Sequence, residues 1–124
     1  MAVAILDISI YIDHCERGLY QDTVVLSELR RGARGREAER LVANLSELGT
    51  VRWEPSVADW WEAGGLVRSI GDKQDWDIHK RRDFQNDALI ALIARRHGAT
   101  IVTANSSDFE LLRSELRISV LPAR

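Results

Sequence analysis

Seven consecutive apolar residues, Ala88-Leu89-Ile90-Ala91-Leu92-Ile93-Ala94, follow Asp87 and precede Arg95-Arg96-His97-Gly98. The segment Asp87–His97 reads as a helix, with basic residues in its last turn and Gly98 as its stop. Such a helix is apolar on almost every side and has no face to offer to water, so it must be buried on most of its circumference. That demand excludes an isolated or peripheral helix and points to layered packing. The residues immediately after it, Ala99–Thr103, read as a strand. Further short apolar runs, 2–6, 50–53 and 118–121, alternate with helix-like segments at 8–17, 37–48 and 56–67 and from Ser107 onward. This order predicts an α/β fold: a three-layer α/β/α sandwich around a mainly parallel central sheet. Its crossovers are expected to be right-handed.

Local signals set the expected boundaries. Thr23–Leu26 reads as a second short strand or as the approach to a helix. Ser27 is a good N-cap, which would put Glu28 in a first helical turn. Ser56 and Asp59 have the spacing of a capping box and open a helix through Val67 that carries Trp60 and Trp61. Gly64 and Gly65 weaken its middle. Residues 72–83 are densely charged; within them Lys80, Arg81 and Arg82 form a basic strip that could meet phosphate but reads more simply as a solvated loop. Asn86 is then the expected cap of the apolar helix, with Asp87 in its first turn.

A chain of 124 residues with 45% hydrophobic and 29% charged residues is expected to form one domain, 1–124. With 17 basic and 19 acidic side chains the net charge is −2. That excludes a strongly basic nucleic-acid coat without excluding a nuclease. Cys15 is the only cysteine, so neither an internal disulfide nor a cysteine-rich zinc site can form, and a reducing, cytoplasmic setting is expected. No apolar run approaches the roughly 18 residues of a membrane span, and the start lacks the basic and long apolar regions of a signal peptide. His14, His79 and His97 show no metal-ligand spacing. The four tryptophans are expected in the core or at an interface before any base-stacking role.

In an open α/β sheet, ligands bind outside the carboxyl ends of the strands. Asp7 follows the first strand directly, and Asn105 and Asp108 lie just beyond the 99–103 strand. Glu28 and Asp87 would begin helices at the same edge. Four carboxylates from remote segments thus have one plausible meeting place. Packed together they repel, and a divalent cation removes that cost. An all-oxygen set without histidine or cysteine suits Mg2+ or Mn2+ better than Zn2+.

The residues carrying this pattern resemble a known family. Ile5-Leu6-Asp7-Ile8-Ser9-Ile10-Tyr11-Ile12-Asp13 is similar to the opening strand and helix of a PIN domain. Leu26-Ser27-Glu28-Leu29-Arg30-Arg31-Gly32-Ala33 resembles its second acidic motif. Asn86-Asp87-Ala88-Leu89-Ile90-Ala91 resembles the third, and Ile101-Val102-Thr103-Ala104-Asn105-Ser106-Ser107-Asp108-Phe109 the fourth. Within that family the small size and the Ser27–Ala33 stretch look most like VapC, the toxin of a bacterial toxin–antitoxin pair.

The resemblance implies a Mg2+- or Mn2+-dependent endoribonuclease acting on single-stranded RNA. Asp7, Glu28, Asp87 and Asp108 would be its catalytic acids, with Asp7, Asp87 and Asp108 as metal ligands. Ser9, Thr103 and Asn105 would support them. From its charge, the run Arg30, Arg31, Arg34 and Arg36 suits RNA phosphate or, equally, a solvated face, and Arg30, Arg31 and Arg34 are the candidate RNA-binding residues. A cognate antitoxin and a homodimer are implied as partners, with no membrane. The connection between Asp7 and Glu28 is shorter than the family's, leaving only residues 19–25 for a second strand, which is expected to be shortened or missing. A catalytically impaired module that binds an antitoxin or another protein is therefore a second reading. A phosphatase of the haloacid dehalogenase type also has an aspartate after its first strand, but needs a second acid where this chain has Ser9.

Overall fold

The structure, a computed structural model, describes residues 3–6, 21–48, 52–103 and 106–122. Strand β1 (Val3–Leu6), β4 (Ala99–Thr103) and β5 (Ser119–Pro122) form a parallel sheet in the order β1-β4-β5. Val3 lies opposite Ala99, Leu6 opposite Val102, and Thr100 opposite Ser119. Ala99, Ile101 and Thr103 of the central strand are buried and the residues between them half-buried, as expected of a strand covered on both faces. Strand β5 is largely exposed and ends at Pro122, a residue suited to a sheet edge because it has no N–H to donate. The remaining strands, β2 (Gln21–Asp22) and β3 (Arg52–Trp53), pair in parallel over two residues.

The expected α/β class and parallel pairing are therefore present. Among the described residues the ladders fall into two separate sheets, not one central sheet. Among the described residues, the nearest strand before Glu28 is β2, two residues long. No helix of the described residues is long and apolar enough to cross a membrane.

Five helices are described: α1 (Thr23–Gly32), α2 (Arg36–Leu48), α3 (Val57–Gln74), α4 (Ile78–His97) and α5 (Ser106–Glu115). Thr23–Leu26 is helical, so the strand reading fails there. Val24 and Val25 are β-branched but buried, and tertiary packing outweighs their strand preference. Ser27 is consequently inside α1 and not its cap. The capping box at α3 forms as its spacing predicts. The Asp59 N–H donates to Ser56 Oγ at 3.1 Å, and the Ser56 N–H donates to Asp59 Oδ2 at 2.9 Å. This helix runs past Val67 to Gln74, and its two central glycines face open space.

The largest departure concerns the apolar helix. It begins at Ile78, capped by Asp77, whose Oδ1 accepts the Lys80 N–H at 2.8 Å. The charged segment 72–83 is thus the end of one helix and the start of another, joined by a tight turn. Gly71, in the last turn of α3, leaves room for the Arg81 guanidinium. A Cβ there would meet Arg81 Cζ at 2.9 Å, while Arg81 Nε donates to the Trp76 carbonyl and Nη1 to Asp72 Oδ1. Gly98 closes α4 in the left-handed conformation, as read from the sequence.

Helix α4 packs against α1, α3, α5, β1 and β4. Ala88 through Ala94 are all buried, which explains the all-round apolar sequence. Phe84, one further turn back, is fully buried and meets Trp76 edge-on at 4.7 Å. Trp53 is buried too. Trp60 and Trp61, at 52% and 88% exposure, are not core residues.

Candidate functional site at the carboxyl edge of the sheet

The parallel register brings the carboxyl ends of β1 and β4 side by side, and α5 starts just beyond β4. Thr103, the last residue of β4, is fully buried. Asp108 lies in the first turn of α5 and is 9% exposed, an acid placed where the helix dipole favours negative charge. Both occupy the edge at which open α/β sheets bind ligands. Asp7, Ser9 and Asn105 lie outside the described residues.

Lys80 reaches this edge from α4. Its Nζ donates to Asp108 Oδ2 at 2.8 Å, across 28 residues of sequence. The same ammonium stands 5.0 Å from the centroid of the Trp76 ring. Sequence reasoning treated Lys80 as part of a solvated basic strip and missed this contact. A signal was present in the Asp77–Lys80 spacing, which marks a helix start and turns Lys80 into a first-turn residue.

Glu28 is in the second turn of α1, half-buried, with its Oε1 atom buried. Asp87 is half-buried and sits midway along α4, not in a first turn, because the helix starts earlier than its apolar pattern suggests. The helices that carry Glu28, Asp87 and Asp108 touch one another through α4, which also touches β1. Among the described residues, however, no three His, Cys, Asp or Glu side chains form a group able to hold a metal ion. The donors are all carboxylates, the chemistry of a Mg2+ or Mn2+ site, but those described do not complete one.

Arg30 and Arg31 are exposed in the last turn of α1, and Arg34 is exposed just after it. Arg30 also lines an open groove of about 810 Å3 between α1 and α2, with Leu26, Ser27, Glu39 and Val42 among its walls.

A second buried acid, on α3, lies against the opposite end of α4. Asp59, 5% exposed, accepts from Arg96 Nη2 at 2.9 Å, and the same nitrogen donates to the Glu54 carbonyl at 2.6 Å. Next to it His97 stacks on Trp53 with centroids 4.0 Å apart and planes 3° from parallel. Desolvation and the adjacent Arg96 lower the His97 pKa below the ordinary 6.5, against an opposing pull from Asp59. The position at a helix end suggested a dipole partner, which would favour the charged ring; the packing favours the neutral one.

No family model matches this chain, and no curated protein matches it. Its fold matches a solved structure described as the crystal structure of VapBC2 from Rickettsia felis bound to a DNA fragment from their promoter. The TM-score is 0.67 at 18% identity, covering 98% of this chain and 99% of that one. At that identity the likeness shows a shared fold.

Proposed function

We propose that this protein is the toxin of a toxin–antitoxin pair, a metal-dependent endoribonuclease with a PIN-type three-layer fold that cuts single-stranded RNA. The observation that carries the reading is the buried Asp108, in the first turn of the helix that follows the buried Thr103 at the carboxyl end of β4. The end-to-end fold likeness to a chain of a VapBC2 structure supports it, as do the four acidic motifs.

In this reading Asp7, Asp87 and Asp108 hold Mg2+ or Mn2+, and Glu28 completes the acidic set or orients the attacking water. A bound divalent cation supplies a more acidic water and offsets charge developing on phosphorus. Thr103, with Ser9 and Asn105, fixes the carboxylates by hydrogen bonds. Arg30, Arg31 and Arg34 hold the RNA backbone through exposed guanidinium groups. The partners are a cognate antitoxin and a second copy of the chain. The test is cleavage of single-stranded RNA with Mg2+ or Mn2+ by the parent and by Asp7→Asn and Asp87→Asn. Both variants are expected to lose cleavage. Equal cutting by parent and variants at equal purity would refute the acidic-site mechanism.

A second reading, an impaired module that binds a partner without turnover, is favoured by one observation. Among the described residues, the strand leading to the helix that carries Glu28 spans two residues. Antitoxin binding by a chain that neither binds Mg2+ nor cuts RNA would select it.

A further inference from the structure

We propose that Lys80 is a resident cation of the acidic edge: its ammonium occupies Asp108 and competes with a divalent cation for that carboxylate. The inference rests on the acidic-site reading above and adds to it a residue that sets how readily the site loads.

The contact is specific. Lys80 Nζ meets Asp108 Oδ2 at 2.8 Å, and the side chains are 40% and 13% exposed. The acid is thus the buried partner and the cation arrives from the open side. A divalent cation on the same carboxylate would stand close to the ammonium, and the repulsion between them weakens metal binding, most of all where water is partly excluded.

The base of the lysine is held by a backbone bond, and among the described residues the Asp108 contact is the one polar bond of its side chain. Its backbone N–H is held by Asp77 in the first turn of α4. The ammonium ends a four-carbon stem and lies 5.0 Å from the Trp76 ring, itself seated edge-on against the fully buried Phe84. The aromatic face gives the ammonium a second resting place once it releases Asp108. Arg81, the next residue, contrasts with it. Its guanidinium is bonded to both the Trp76 carbonyl and Asp72 and packs on Gly71, so it is committed to the turn. A lysine ammonium is a compact, strongly hydrated point charge that exchanges more easily than a multiply bonded guanidinium.

The experiment titrates Mg2+, and separately Mn2+, into the full chain at fixed pH by calorimetry. Melting with and without metal gives a second readout. Four proteins are compared: the parent, Lys80→Met, Lys80→Arg and Asp108→Asn. Lys80→Met keeps the stem over Trp76 and removes the charge. It is expected to bind Mg2+ about fivefold or more tightly than the parent, within the usual range for coupled binding events. Its metal-induced rise in melting temperature is expected to exceed the parent's. Lys80→Arg keeps a cation and is expected to stay at or below the parent's affinity. Asp108→Asn is expected to lose the response. Should Lys80→Met fail to fold, Lys80→Gln serves in its place.

Equal Mg2+ affinity in the parent and Lys80→Met, with Asp108→Asn impaired, would overturn the role of Lys80 and leave the acidic site standing. An undiminished response in Asp108→Asn would overturn it as well, since the metal would then not use that carboxylate. No response to either metal in any of the four proteins would remove both the proposal and the reading beneath it.

Discussion

Lys80 and Arg96 lie near opposite ends of α4, and each pairs with a buried aspartate on another element. The two pairs are closely matched: 2.8 Å for Lys80–Asp108 and 2.9 Å for Arg96–Asp59, with both basic side chains 40% exposed. They differ in how the base is tied in. Asp59 also closes the Ser56 capping box, and Arg96 also binds the Glu54 carbonyl. That end joins the start of α3 to the end of α4, and every bond in it serves the fold. Asp108 stands at the carboxyl edge of the sheet, and its partner is a flexible ammonium. The same charge pairing thus serves as a fastening at one end and as an exchangeable contact at the other. Burial alone does not separate the two; the bonds made by each base do.

The contrast can be broken in several ways. The largest effect is expected from Phe84→Ala, which empties a fully buried site beneath the Trp76–Lys80 platform. About 3–5 kcal/mol of unfolding free energy should be lost in urea titration. A loss under about 1 kcal/mol would mean that the first half of α4 is not packed as described. Next comes Asp59→Ala, which removes the capping partner of Ser56 and the carboxylate bound by Arg96. About 2–3 kcal/mol of stability should go, with cleavage per folded molecule within threefold of the parent. A selective loss of cleavage would make this end part of the site.

The smallest effect concerns His97. Its pKa in the folded chain lies below the unfolded value of 6.5, so the unfolded chain binds the proton more readily. The stability it contributes is complete above pH 6.5 and declines as the pH falls through that value toward the folded pKa. The melting temperature of the parent should drop over this window more than that of His97→Gln. Identical pH profiles would remove the stacked, neutral ring from the account.

The two ends also differ in how legible they were. Ser56–Asp59 and Gly98 act within a turn of their own position, so their spacing alone gave the right boundaries. The α/β order and the strand 99–103 followed from short apolar runs beside a helix with no polar face. The start of α4 was hidden because Lys80, Arg81, Arg82 and Asp83 mask Phe84, the one apolar residue that announces burial there. Asp87 was therefore placed a full half-helix too early in its element. Glu28 was misplaced by the β-branched Val24 and Val25, which looked like strand and are core residues of α1. Of the proposed site, the acids could be picked out from strand-end logic and family resemblance. The Lys80–Asp108 contact could not, because it depends on how α4 crosses α5 and not on any local pattern.

The most direct test sets Asp108→Asn against the parent in a Mg2+-dependent assay of single-stranded RNA cleavage, with stability measured on the same samples. The account predicts at least about a 100-fold loss of cleavage with no more than about 1 kcal/mol of stability lost, since the acid's ion partner is half-exposed. Undiminished cleavage by Asp108→Asn would contradict it.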